Sequence, residues 1–290
     1  GDLTITGNGT IEGPANGAAF DGKALIVVDG GKLTIENGTL TATGEGSDGM
    51  YGVYVLNGGT AVFGKEDGTG PAITSHFAAI GTNNTTAPAD ITVYGGTYTA
   101  NAAPSDSDWW SYFCAPVYAA SNGTYNLAGG TFTGYYGISS RYADTDQDVT
   151  IGDVTFEASS ETDVFVDDQT GSTQTPDRKI VSTANTRTLP EGYNWIRQAD
   201  GTYIVGEAAA KIGTEYYTTL EAAVEAAQAG ETVELLKDVK TEGITVDKAI
   251  TLDLAGHKIS SDAPAIFKVE SAGDLTITGN GTIEGPANGA

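Results

Sequence analysis

The sequence is poor in cysteine, histidine, basic residues and long apolar runs. Its single cysteine, Cys114, excludes an intrachain disulfide and a metal site built from several cysteines. The 2 histidines are far apart, which disfavours a histidine-rich metal or proton-relay centre. With 14 Lys and Arg against 38 Asp and Glu, the net charge of −24 excludes electrostatic binding of nucleic acid or an anionic lipid surface. No apolar run reaches the roughly 18 residues of a membrane span, so we expect no membrane insertion.

Glycine, threonine and tyrosine are abundant instead. The 290 residues include 40 Gly and 14 Tyr, and threonine is frequent throughout. Threonine and aromatic residues favour strands, while glycine fits the tight turns between them. The composition therefore predicts an acidic all-β protein, and we expect the chain to be part of a longer one.

The sequence ends as it begins. Residues 273–290 are identical to residues 1–18 at all 18 positions, which chance does not explain. A fixed period is the signature of a repeat architecture. We interpret the identity as a tandem array with a period of 272 residues.

We predict a division of the array near residue 206. Asp200-Gly201 separates two β-prone runs, which indicates a hairpin that closes the coils. Residues 1–206 would then be the β-helix coils and closing hairpin of one repeat. Residues 207–290 would be the capping helix and first coils of the next repeat.

One short amphipathic helix is predicted over residues 218–229. Thr218 and Glu221 have the spacing of a capping box, and Leu220 and Val224 fall on one helical face. Solenoid ends expose apolar side chains and unpaired strand edges. We therefore expect this helical face to cover the open end of a coil that begins near residue 232.

The rest of the chain contains a shorter repeated pattern. Two apolar residues flank a polar one, and a Gly-rich turn then leads to Thr or Lys and another apolar residue. The pattern occurs as LTITGNGTI (3–11), LTIENGTL (33–40), ITVYGGTY (91–98), YNLAGGTF (125–132), VTIGDVTF (149–156) and LDLAGHKI (252–259). A third apolar run precedes most copies, and three short strands per step are typical of the coil of a parallel β-helix.

Alternation within each strand predicts which side chains fill the coil. The flanking apolar residues would point inward and the threonine between them outward. The predicted inward residues are Leu3, Ile5, Leu33, Ile35, Ile91, Val93, Leu127, Val149 and Ile151. The predicted outward residues are Thr4, Thr34, Thr92 and Thr150.

Three segments together resemble a known family of repeats. AKIGTEYYTTLEAAVEAAQAGETVELLKDV (210–239) and ITVDKAITLDLAGHKIS (244–260) are similar to the opening of a pectate-lyase-like right-handed β-helix domain. LPEGYNWIRQADGTYIVG (189–206) resembles its closing segment. Such domains recur in giant cell-surface proteins of Gram-positive bacteria of the gut Firmicutes type. The resemblance implies an all-β, right-handed parallel β-helix with three strands per coil and one short capping helix, in a secreted stalk or adhesin.

One insertion, residues 101–116, concentrates aromatic side chains. Trp109, Trp110 and Tyr112 are the candidate binding residues, because exposed aromatic rings serve as platforms for ligands such as sugars. Alternatively, the insertion folds back over a coil and buries its own rings. Cys114, flanked by apolar residues, is predicted to be a small buried core residue.

The sequence offers one candidate metal site. Asp144, Asp146 and Asp148 have the alternating spacing that opens many Ca²⁺ loops, although the Gly and Glu that an EF-hand requires are missing. The alternative is a hydrated surface loop. Apart from this Ca²⁺ candidate we expect no metal and no cofactor.

The residues favour a structural role over catalysis. Arg141 is the only basic residue between Lys65 and Arg178, so most of the coil lacks a cation for an anionic sugar. The fold serves enzymes and non-enzymes alike. We therefore expect a non-catalytic stalk or adhesin. The alternatives are a carbohydrate-binding module that uses the Trp109/Trp110 loop and a polysaccharide lyase or hydrolase.

The repeated end sequence also suggests partners. Matching open ends predict end-to-end association of neighbouring repeats or copies, and hence a fibre. A host glycan or a host protein is a second candidate partner, whereas nucleic acid and membrane are not. The expected location is extracellular, at a bacterial cell surface.

Overall fold

Most of the described strands are short and pair in parallel with a strand of an adjacent coil. A computed structural model describes residues 1–13, 24–42, 44, 51–82, 87–105, 107–108, 110–141, 146–160, 162–167, 178–191, 193–198 and 200–285. The chain divides into two compact units, unit 1 (Gly1–Glu191) and unit 2 (Gly192–Ala290). Among the described residues, no helix has the length and apolar character that crossing a bilayer requires.

The described part of unit 1 contains 17 strands and a 3-10 turn at Ser111–Phe113. The strands are β1 (Asp2–Ile5), β2 (Thr10–Glu12), β3 (Ala24–Asp29), β4 (Lys32–Ile35), β5 (Thr39–Thr41), β6 (Tyr51–Leu56), β7 (Thr60–Phe63), β8 (Ala72–Ser75), β9 (Ile80–Thr82), β10 (Ala89–Val93), β11 (Thr97–Ala100), β12 (Val117–Ala119), β13 (Gly123–Gly134), β14 (Ile138–Arg141), β15 (Gln147–Ala158), β16 (Val164–Asp167) and β17 (Arg178–Ser182).

These strands form three parallel ladders, and the long strands β13 and β15 take part in two of them. The first ladder runs β1, β4, β7, β10, β13, β15, β17. The second runs β2, β5, β8, β11 and then the second halves of β13 and β15. The third runs β3, β6, β9, β12, β14, β16. The predicted all-β parallel β-helix with three strands per coil is confirmed.

Side chains of successive coils stack on one another inside the first ladder. Leu33 pairs with Ala61, and Ile91 pairs with Tyr125, each in the adjacent coil. Seven of the nine predicted inward residues are at most 1% exposed: Leu33, Ile35, Ile91, Val93, Leu127, Val149 and Ile151. The alternation within each strand was therefore sufficient to find the core of this ladder.

The first coil departs from the prediction. Leu3 is 50% exposed and Ile5 is half-buried, although both are in register with the buried residues of the next coil. Among the described residues β1 pairs with β4 alone, so one side of these two side chains is uncovered. The prediction that Leu3 is buried is wrong, because a side chain in a solenoid is covered only by coils on both sides.

In unit 1 the sequence pattern found most of the described strands and missed two. The predicted outward threonines do lie in one column, in which Thr4 is in register with Thr34. The strand β9 was missed because it has only 3 residues and its centre is Gly81, a poor strand former. The strand β17 was missed because no Gly-rich turn follows it in the sequence.

The described part of unit 2 contains 12 strands and one α-helix, α1 (Leu220–Ala226). The strands are β18 (Asn194–Arg197), β19 (Tyr203–Gly206), β20 (Ala210–Ile212), β21 (Glu215–Tyr217), β22 (Thr232–Leu235), β23 (Val239–Thr241), β24 (Ile244–Val246), β25 (Ala249–Asp253), β26 (Lys258–Ser261), β27 (Phe267–Val269), β28 (Asp274–Thr278) and β29 (Thr282–Glu284).

Two hairpins precede the coils of unit 2. The predicted closing hairpin forms from β18 and β19, with Gly201 at φ 86° in its turn. A second hairpin, β20 and β21, was not predicted. Its strand β20 runs antiparallel to β22, so it covers one edge of the first coil. The coils then stack in parallel as β22, β25, β28 and as β23, β26, β29, with β24 beside β27.

The helix α1 caps the first coil of unit 2, as predicted, but it is shorter than residues 218–229. Leu220 and Val224 are buried in one cluster with Val233 of β22. The N-cap is Thr219, whose hydroxyl accepts a backbone N–H from the first turn. The predicted capping box of Thr218 and Glu221 is wrong, because the Glu221 carboxylate accepts a hydrogen bond from the last threonine of β23.

Candidate functional site

The most distinctive surface of unit 1 is a group of aromatic side chains on the outer side of the third ladder. We call it the aromatic cluster. It consists of Tyr51, Tyr54, Phe77, Trp110, Tyr112, Phe113 and Tyr118. In β6 the neighbours of Tyr54 are Val53 and Val55, which are fully buried in the coil. Because side chains alternate along a strand, Tyr54 projects from the opposite, outer face.

Residues 101–116 bring the remaining rings onto this face. The segment is anchored at both ends: the N–H of Ala102 donates to the His76 carbonyl, and the N–H of Tyr135 donates to the Cys114 carbonyl, both at 2.8 Å. Between the anchors, the 3-10 turn at Ser111–Phe113 directs two rings towards β12. The insertion is therefore tied to the coils rather than extended from them.

The rings of the cluster contact one another across several coils. The Phe113 and Tyr118 centroids are 5.0 Å apart in an edge-on arrangement, and those of Tyr112 and Tyr118 are 6.0 Å apart. On β6, two coils away from β12, Tyr51 and Tyr54 stack at 4.8 Å. Such aromatic pairs stabilise by about 0.5–1.5 kcal/mol beyond the area that they bury. The cluster thus holds the insertion against the third ladder.

The structure describes two of the three candidate binding residues. Tyr112 is 8% exposed, because it packs beneath the insertion. Trp110 is half-buried, and its ring centroid is 6.1 Å from that of Phe77 at the margin of the cluster. Trp109 lies outside the described residues. The insertion folds back over the coil, and Trp110 remains partly accessible.

Arg141 adds a positive charge to the cluster. Its guanidinium carbon lies 3.3 Å from the centroid of the Tyr112 ring, the geometry of a cation–π contact. Arg141 ends β14, and the carboxamide of Gln147 donates to its carbonyl oxygen at 3.0 Å. The only cation in this part of the sequence is therefore held against an aromatic ring.

Cys114 is a buried residue of the insertion, as predicted. It is 0% exposed, and burial, with a contribution from the charge of Asp108, raises the pKa of its thiol to about 12. Since the thiolate is the nucleophile, the thiol is unreactive at neutral pH. Cys114 serves packing at the base of the insertion.

Two of the three candidate Ca²⁺ ligands are described. Asp146 and Asp148 are exposed and lie on the same side of an extended segment, with Gln147 buried between them. The backbone N–H of Asp146 donates to the Asn122 side chain of the previous coil. Ca²⁺ takes 6 to 8 oxygen ligands, so this pair would need Asp144, which lies outside the described residues. The Ca²⁺ site stays a prediction.

Sequence reasoning did not assign Tyr51, Tyr54, Phe77, Tyr118 or Arg141 to this site. Phe77, Tyr118 and Arg141 come from three different coils and meet only after the coils stack. The third-ladder strands β6 and β12 each carry a tyrosine on the outer face, Tyr54 and Tyr118. Those outward tyrosines were the available signal for an aromatic surface on the third ladder.

Comparison of the chain with protein-family models, with curated proteins and with solved structures found no match. The β-solenoid fold is therefore stated from the strand pairing alone. The resemblance to pectate-lyase-like repeats rests on the sequence motifs and belongs to the proposal below.

Proposed function

We propose that this chain is a non-catalytic segment of a secreted, tandem-repeat bacterial surface protein, in which it acts as a stalk or adhesin. The observation that carries the proposal is the in-register stacking of identical structural steps together with the 272-residue sequence period. A solenoid whose steps stack in register can be lengthened by adding coils. A stalk needs this property, because its length can then be set by the number of repeats.

The interior and the surface of unit 1 both support this role. The largest fully buried side chains, among them Tyr98, Phe132 and Phe63, fill the coil. The Tyr98 and Phe132 rings stack at 5.0 Å from one coil to the next. The net charge of −24 keeps such rods soluble and repels anionic polysaccharides. The family resemblance adds the expectation of attachment at the surface of a Gram-positive bacterium.

A carbohydrate-binding role is the second candidate, because Trp110 is partly exposed beside a cation-bearing cluster. The Trp110 indole, whose ring contacts Phe77 at the margin of the cluster, offers a stacking surface, and its N–H offers a hydrogen-bond donor. In this version the stalk itself would hold a glycan at its side.

The stalk role is tested by electron microscopy of an array of three repeats and by incubation with a panel of polysaccharides. We expect filaments whose length grows with the number of repeats, and no release of sugar products. Compact particles whose length does not grow would contradict the stalk. Turnover of any polysaccharide would contradict the non-catalytic role and favour a lyase or hydrolase.

The carbohydrate-binding role is tested by a separate binding measurement. Binding of the chain to a glycan array should weaken at least about tenfold in Trp110→Ala. Tyr94→Ala is the matched control, because Tyr94 is a half-buried aromatic residue outside the cluster. Equal effects of both substitutions would show that the cluster is not the binding surface.

A further inference from the structure

The repeated 18-residue sequence occurs in two different strand environments. We call the strands that it forms the end rung: β1 and β2 in the first copy, β28 and β29 in the second. In the first copy these strands pair with β4 and β5, which follow them in the chain. In the second copy they pair with β25 and β26, which precede them. One sequence therefore has a partner on opposite sides in its two copies.

The backbone groups used by the two copies are complementary. In the first copy the carbonyl oxygens of Gly1, Ile5 and Gly9 accept N–H groups of the following coil at 2.9–3.0 Å. In the second copy the N–H groups of Asp274 and Thr282 donate to the preceding coil at 3.3 and 3.1 Å. These two residues correspond to positions 2 and 10, so no group is used twice. The rung has two hydrogen-bonding edges, and each copy uses one.

Exposed apolar side chains mark the unused edges. Every large hydrophobic side chain that is exposed among the described residues belongs to β1–β3 or to β27–β29. They are Leu3, Ile11, Val27, Val269, Ile277 and Ile283, at 36–50% exposure. All of them except Val27 are in register with buried inward side chains of the adjacent coil, whereas Val27 is in register with Tyr54 on the outer face. Exposed apolar residues at strand edges are sites of pairing with further strands.

One glycine is explained by only one of the two copies. At Gly9 a side chain would meet nothing within 4 Å. At the equivalent Gly281 a Cβ would lie 2.0 Å from the carbonyl oxygen of His257, in the coil below. The glycine is required only when the rung has a preceding coil. Its presence at position 9 indicates that the first copy is built to have one too.

We propose that, in the tandem array, unit 2 of one repeat and unit 1 of the next form one continuous β-helix. The end rung occurs once at their junction and pairs on both sides. The third ladder continues as well, since β27 ends with an inward Val269 that is 50% exposed. The inward register sets Val28 of β3 over Val269, and Ile26 over Phe267. The partner surface is thus the same chain in the next repeat.

The start of this continuous β-helix is closed. The helix α1 packs on the first coil, and β20 occupies the edge of β22. The folding unit of the array therefore begins with the cap in unit 2 and passes through the end rung into the coils of unit 1. This inference deepens the proposed stalk role, and it places each stalk segment across the point where the repeated sequence occurs.

The test compares this chain with a lengthened chain, in which residues 19–206 follow residue 290 as the period dictates. Hydrogen exchange is measured on peptides that start before residue 273, which distinguishes the two copies. The N–H of Gly13 donates to the Thr41 carbonyl at 2.9 Å, so the N–H of the equivalent Gly285 should gain this bond. We expect its exchange to slow at least about tenfold in the lengthened chain. The N–H of Thr282, already bonded, is the internal control.

A pair of variants provides a second measurement. Ile277→Asp should reduce the folding equilibrium constant at least about a hundredfold in the lengthened chain, because it places a charge inside the closed coil. The same substitution should have a much smaller effect in this chain, where Ile277 is 42% exposed. Thr276→Asp, on the outer face of the same strand, is the matched control and should have little effect in either chain.

Three results would overturn the inference. They are equal exchange of Gly285 in the two chains, equal effects of Ile277→Asp in the two chains, and a lengthened chain that does not fold. None of these results bears on catalysis or filament length, so a stalk of separately folded beads would still be supported by the microscopy described above.

Discussion

The contribution of coil stacking to stability can be measured by truncating equivalent leucines in two adjacent coils, of which one is enclosed and the other is exposed. Leu3 and Leu33 are register partners in the first ladder, yet Leu3 is 50% exposed and Leu33 is 1% exposed. Leu33→Ala removes a side chain enclosed between Leu3 and Ala61, and it leaves a cavity that the closely stacked backbones cannot fill. We expect it to reduce the free energy of unfolding by about 3 kcal/mol.

Leu3→Ala should cost much less, about 1 kcal/mol, because half of its surface is already in contact with water and no enclosed cavity forms. The measurement is urea denaturation of the full chain, followed by far-UV circular dichroism. Equal losses for the two variants would refute the reasoning, because they would mean that β1 is covered in solution. A loss below about 1 kcal/mol for Leu33→Ala would refute the assigned register.

Three further predictions concern local features. Cys114 should resist a thiol reagent in the native chain and react once the chain is denatured. Because folding raises the pKa of its thiol from 9.0 to about 12, the contribution of the buried thiol to the free energy of unfolding is fully present below pH 9. That contribution should be lost as the pH rises towards 12, which a comparison of urea denaturation with Cys114→Ala measures. Thr219→Ala should destabilise unit 2 by about 1 kcal/mol in urea denaturation, and Thr218→Ala by much less, because Thr219 is the N-cap. Gly123→Ala should lower the melting temperature strongly, because φ is +133° and the Cβ would lie 1.8 Å from the Ala89 carbonyl oxygen.

Much of the coil could be predicted from short patterns. The apolar pair that flanks a polar residue located Leu33 and Ile35, and the Asp200-Gly201 turn located the closing hairpin. These features depend on neighbours within a few residues, since alternation and turn geometry are local properties of the backbone. The helix was found for the same reason, although its N-cap was assigned one residue too early.

The candidate site was harder to predict. Trp110 and Tyr112 were found because they lie in an aromatic-rich insertion, but Tyr118 and Arg141, which contact Tyr112, were not. These residues belong to different coils, and only the stacking of those coils brings their side chains together. A list of aromatic residues does not tell which rings become buried.

The sequence by itself determined the coil, its period, its inward apolar column and the identity of its end rung. Each of these follows from alternation, from turn residues or from the exact repetition of residues 1–18. Only the tertiary structure decided which edge of the end rung is occupied, how the insertion covers the third ladder, and which apolar residues stay exposed. The physical reason is that burial in a solenoid depends on the coils above and below, and those neighbours are distant in the sequence.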